Sequence, residues 1–163
     1  MRAWVAAVLA VTTWCATARA DKGDFKIESD WWKLGLSTGG VFARDRGDAT
    51  FTIGAVATRV HLREDFRWYG ARFQLVADTN GSAPTAARWL VGAEAGVGMG
   101  YGAIVSYTGE HYTGRTDHGV AVHAKLTTGL VAVYTGVIAM VTSPDVYGID
   151  VGLELKIPVW SGY

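Results

Sequence analysis

A chain of 163 residues with 15 basic and 15 acidic side chains has no formal net charge, so it has no basic surplus of the kind that binds nucleic acid. Its one cysteine, Cys15, lies within the first twenty residues. The remainder therefore has no disulfide, thiolate nucleophile or cysteine-held metal. Twenty-one glycines, seven Trp and seven Tyr stand beside three Pro. No apolar run of spanning length follows the first twenty residues, which excludes a helical membrane protein and leaves strands as the element to look for.

Residues 1–20 read as a secretory leader. Arg2 is the charged start, an apolar stretch runs from Ala3 to Val11, and Ala18-Arg19-Ala20 is a small-x-small cleavage site. Thr12, Thr13, Thr17 and Arg19 interrupt the run too early for a membrane anchor, which needs about 20 apolar residues. The mature chain is expected to begin near Asp21, with 13 basic against 15 acidic side chains. Residues 21–30 are charge-rich and read as a short periplasmic tail, leaving 31–163 as one domain.

Eight segments with period-2 alternation follow, each near the ~9–11 residues a tilted strand needs to cross a bilayer. The first runs from about Trp32 to Phe42, with Trp32, Leu34, Leu36 and Phe42 opposite Lys33, Gly35, Ser37 and Gly39. The second, about Thr50 to Leu62, changes phase, so a β-bulge is expected near Ala57 that keeps Arg59 and His61 out of lipid. The third sets Tyr69, Ala71, Phe73, Leu75 and Ala77 against Arg72 and Gln74. In the fourth, Trp89, Val91, Ala93 and Ala95 oppose Arg88 and Glu94; in the fifth, Tyr101, Ala103, Val105 and Tyr107 oppose Gly102, Ile104, Ser106 and Thr108. A turn within Gly96–Gly100 must separate these two, because one strand across both is too long for a membrane. The sixth opposes Val120, Val122, Ala124 and Leu126 to His123, Lys125 and Thr127. The seventh, Leu130 to Val141, is apolar on both faces and its orientation stays open. The eighth begins near Val146: Ile149, Val151, Leu153, Leu155, Ile157 and Val159 share one face, Asp150, Gly152, Glu154 and Lys156 the other, and the chain stops on Tyr163.

With the start in the periplasm, the outward connections are 44–48, 78–85, 109–119 and 142–145. The inward ones are 63–65, the glycine turn and 128–129. The outward set is longer, as in outer-membrane barrels with short periplasmic turns. Alternation alone also fits a soluble barrel that is apolar inside, but the polar faces here are sparse in charge and rich in glycine, which suits a crowded interior. Aromatic residues (Trp32, Phe42, Phe51, Tyr69, Trp89, Tyr101, Tyr107) sit toward the ends of the apolar faces, where the two membrane interfaces would lie.

The leader, the eight segments and terminal Tyr163 together resemble the small eight-stranded bacterial outer-membrane barrels of the outer-membrane protein A and X type. The resemblance implies an all-β fold, an eight-stranded antiparallel transmembrane up-and-down β-barrel in the outer membrane of a Gram-negative envelope, with Tyr163 as its assembly signal. The expected partners are outer-membrane lipid, lipopolysaccharide and the barrel-assembly machinery, with no nucleic acid, the chain itself being a monomer.

The inward-facing ionisable residues are expected to be Lys33, Arg72, Arg88, Glu94, His123, Lys125, Asp150, Glu154 and Lys156. Five cations then face three acids in a lumen just filled by side chains, where charge persists only when paired. An ionic plug is the expected arrangement, with Arg72 and Arg88 facing Glu94 and Glu154, and Lys33 and Lys156 as the cations in surplus. A narrow porin-like pore is the alternative. The third outward connection holds a second polar cluster, Glu110, His111, Thr113, Asp117 and His118. These side chains could hold a divalent metal, or His111 with Thr113 could serve a lipid-modifying hydrolase, since an imidazole can activate a hydroxyl two residues away. Lipid A deacylase barrels use a similar His-x-Ser pair, but Thr113 replaces the serine and the flanking residues differ. The expectation is a solvated loop, no enzyme, no metal and no cofactor, with a structural or surface-interaction role.

Overall fold

The computed structural model describes residues 28–43, 49–80, 83–143 and 147–162. The expected leader and Tyr163 lie outside the described residues. Eight strands run in chain order: β1 (Ser29–Ala43), β2 (Ala49–Leu62), β3 (Arg67–Asn80), β4 (Ala83–Val97), β5 (Tyr101–Tyr112), β6 (Arg115–Thr127), β7 (Val131–Met140) and β8 (Tyr147–Gly162). Each pairs antiparallel with its neighbours, and β8 returns to β1 to close a barrel without edges. Closure satisfies the backbone hydrogen bonds of every strand, which is the condition for crossing lipid without a helix. Following paired residues once around from Ser29 leads back to Gly39, a stagger of ten residues. In an eight-stranded barrel such a stagger goes with strands tilted by roughly 40°.

The alternation of the sequence becomes an inside and an outside. Leu34, Leu36, Ile53, Phe73, Leu75, Val105, Leu153 and Leu155 all point outward with about half their surface exposed. In water this band would be a large apolar patch of the kind soluble monomers avoid. Phe42, Phe51, Trp89 and Tyr107 line one end of the band and Trp32, Tyr69 and Tyr101 the other. In β7, Val131, Val133 and Val137 face out while Ala132, Tyr134, Ile138 and Met140 are buried inside. That orients the strand whose alternation left both choices open.

Three expectations are corrected. First, the pairing of β2 with both β1 and β3 is continuous, so there is no bulge near Ala57. Thr52, Val56, Thr58 and Val60 hold one inward phase throughout. Arg59 and His61 point outward, where Arg59 lies over the Trp32 ring, His61 packs on Tyr69, and both approach Asp30. At the end of the apolar band, a cation with a long stem can reach the interface, so no kink is needed. Second, the eleven-residue outer loop does not exist. β5 and β6 continue to Tyr112 and Arg115, joined by Thr113 (φ 47°) and Gly114 (φ 80°). Two residues at positive φ make the tight hairpin turn that matches strand twist. Third, β3 and β4 likewise run on to Asn80 and Ala83. The outer side is thus extended by strand overhang more than by loop length.

Candidate functional site

Among the described residues, the lumen is where the fold gathers chemistry from all sides. Its inner layer is built on β3, β4, β6 and β8. Glu94 takes Lys125 Nζ at 2.8 Å, Lys156 Nζ at 3.2 Å and Arg72 Nη1 at 3.5 Å. Glu154 bonds the other Arg72 nitrogen and lies 3.2 Å from Lys156 and 3.5 Å from Lys125. Arg72 also donates to Gln74 Oε1 at 2.6 Å, and Gln74 donates to Ser37 Oγ at 2.9 Å, tying the layer to β1. Lys125 sits over the Trp68 ring at 5.5 Å. Each buried charge here therefore has partners, without which burial in a low dielectric is prohibitive.

Above this layer, His123 Nε2 lies 3.2 Å from Asp150, and its ring meets Tyr134 edge to face at 5.4 Å. Gly136 and Gly152 make room for these rings: a Cβ on either would collide with His123 or Tyr134. Farther out, Val76, Leu90, Ala121, Ile138 and Met140 form an apolar cluster, beside an ion pair between Arg88 Nη2 and Asp78 at 3.1 Å. Thr52, Thr108, Asp78 and Ala121, on four different strands, are almost wholly inaccessible. The middle of the lumen is filled.

The residues expected inside are inside, but their pairing differs. Arg72 reaches both Glu94 and Glu154, whereas Arg88 meets neither and turns to Asp78. Lys156 is a full member of the inner layer rather than a surplus cation. Among the described residues, Lys33 has only the Gly129 carbonyl, at 3.4 Å. The sequence reading missed Asp78 and Glu110, which it placed in loops. Both are buried in the wall of the lumen, so five cations face five carboxylates among the described residues. The available signal was strand parity: Asp78 continues Arg72, Gln74 and Val76, and Glu110 continues Ser106 and Thr108.

The outer polar cluster is not brought together. Glu110 faces the lumen, while His111 points outward with Nδ1 3.0 Å from Thr116 Oγ1. Thr113 sits in the turn. His118 stacks on Tyr107 at 5.9 Å and meets Trp89 at 6.1 Å, as part of the outer aromatic belt. Asp117, beyond that belt, accepts hydrogen bonds from Ser143 at 2.7 Å, Thr142 at 3.0 Å and Arg115 at 3.0 Å. The hydrogen bond from Ser143, with those from Thr142 and Arg115, holds its carboxyl below the usual carboxylate range. Its geometry pins the β7–β8 connection to β6. Among the described residues, no three His, Asp or Glu side chains converge as metal ligands would.

At the end of the barrel where β1 begins and β8 finishes, the lumen widens into a cavity of about 420 Å³. Lys33, Lys125, Lys156 and Glu94 form its polar side, Trp31, Val60, Leu62 and Trp68 its apolar walls, and Phe66, Met99 and Leu130, from the three turns, its mouth. Trp68 is fixed by a bond to the Gly98 carbonyl at 3.1 Å, and lies so close to Gly96 and Gly102 that neither could carry a Cβ.

No protein-family model matches the sequence, and no curated protein matches it. Two solved structures are similar to it. Neisserial surface protein A has 10% sequence identity over 78% of this chain and 96% of that one, with a TM-score of 0.50. A de novo designed transmembrane β-barrel has 12% identity over 77% and 95%, with a TM-score of 0.44. At such identities the likeness to the neisserial protein is one of fold: a small closed barrel of the kind found in outer membranes.

Proposed function

We propose that the chain is a small outer-membrane barrel with a structural or surface-interaction role, monomeric, in contact with outer-membrane lipid and lipopolysaccharide and delivered by the barrel-assembly machinery. The observation that carries this reading is the filled lumen: the ionic layer around Glu94 and Glu154, and above it the apolar cluster beside Arg88–Asp78. A conducting pore needs a hydrated path through both layers. A hydrolase needs a nucleophile, base and acid within hydrogen-bond reach, and Glu110, His111, Thr113, Asp117 and His118 lie on different faces of the barrel end. Outer-surface contact is left as the activity best suited to the geometry, through the aromatic belt and the Thr113-Gly114 hairpin tip.

Planar-bilayer recording of the purified barrel tests this. The expected trace shows no steps above the bare bilayer at moderate voltage. Stable unitary conductance would instead favour the pore. Lipid A from cells with and without the protein should be identical, and a change in acylation abolished by His111→Ala would favour the hydrolase.

A further inference from the structure

We infer that the cavity at the inner end of the barrel is a binding site for an anionic amphiphile: a carboxylate or phosphate head carrying an apolar body. This goes beyond the surface role proposed above. Three observations converge on it. The first is charge: among the described residues, Lys33, Arg72, Lys125 and Lys156 surround Glu94 and Glu154, so the cavity end holds two more cations than carboxylates. Of the other lumen carboxylates, Asp150 lies against His123, Asp78 pairs with Arg88, and Glu110 is at the outer end of β5, so none of the three is within ion-pair distance of these lysines.

The second is Lys33. It faces the cavity, more than half buried, with a backbone carbonyl at 3.4 Å and no carboxylate within 4.0 Å among the described residues. An ammonium in such a place has hydrogen-bonding capacity left over, and an anion at the cavity floor would use it while meeting Lys125 and Lys156 from the other side. The third is the wall. Trp31, Val60, Leu62 and Trp68 present apolar surface between that floor and the mouth, where Leu130 and Pro158 continue it. A small hydrophilic anion would leave this surface wet. A chain or ring attached to the anion covers it. The volume falls within the range of small-molecule sites, which are largely apolar with a few fixed polar groups.

The test uses the purified protein in nanodiscs of zwitterionic phospholipid. Dansyl-labelled undecanoate is titrated and followed by energy transfer from tryptophan, with empty nanodiscs subtracted. Dodecanoate, dodecanol and inorganic phosphate then compete. Saturable binding is expected, displaced by dodecanoate but by neither dodecanol nor phosphate at the same concentration. Lys33→Gln should weaken it about tenfold, the loss expected for one hydrogen bond to a charged group, and Lys33→Arg should restore it. Leu130→Asp, on a turn and outside the ionic layer, should weaken binding comparably by placing a carboxylate at the mouth. Equal displacement by dodecanol would overturn the anionic half of the inference, and equal displacement by phosphate the apolar half. Unchanged affinity in both Lys33→Gln and Leu130→Asp would overturn the site itself.

Discussion

Single residues in the lumen are set by charge. Glu94 meets Arg72, Lys125 and Lys156 at once, so Glu94→Ala leaves three cations facing Glu154 alone. Breaking a buried pair by removing one partner costs about 3–5 kcal/mol, and urea unfolding in lipid should move by that order. Unchanged unfolding together with raised conductance would mean that the layer is a gate. Asp117 makes a separate prediction in pH. Its folded-state pKa is depressed, so the stabilisation is complete above the unfolded value of about 4 and is lost as pH falls through the lower folded value. Protection from hydrogen exchange at Val141 and Thr142, whose amides bond the His118 carbonyl, should fall below pH 4 once each rate is divided by the intrinsic rate at that pH. Asp117→Asn should lower that protection at neutral pH and abolish its further fall in acid.

Strands follow from a period of two, which assigns a side chain to lipid or lumen by parity alone. Leu153 and Leu155 of β8 face outward, whereas Glu154 between them is buried. Lysine on the lipid face near the midplane costs about 2–4 kcal/mol per residue. Leu153→Lys with Leu155→Lys should therefore block insertion, and Glu154→Gln should still insert, as judged by heat-modifiable migration on gels. Equal behaviour of the two would reverse the face assignment. Parity was legible wherever apolar and polar residues alternate. It was obscured in β2, where Thr50, Thr52, Val56, Thr58 and Val60 share the inner face: small and β-branched residues satisfy either environment, so Val60 mimicked a phase change. The turn at Thr113-Gly114 was hidden for another reason. Glu110 and Asp117 read as loop residues until pairing placed them opposite each other on β5 and β6, and only the positive φ of Gly114 demands its residue type.

At the scale of the whole molecule, two partitions decide the architecture. Apolar side chains face outward, as a lipid-facing surface requires, and paired charges with an apolar cluster fill the middle of the lumen. The first partition was readable from sequence, since it needs only alternation and the aromatic ends of the segments. The second was not fully readable: the match of five cations to five carboxylates among the described residues depends on strands that extend past the aromatic belt and carry Asp78 and Glu110 inward. The inner cavity was not readable at all, because Trp31, Trp68 and Leu130 meet there only once the barrel has closed. We propose that this closed barrel resides in an outer membrane. Density-gradient separation of envelopes from expressing cells tests it most directly: the protein should sediment with the outer membrane and migrate faster on gels unheated than boiled, and recovery in the soluble periplasmic fraction would contradict the account.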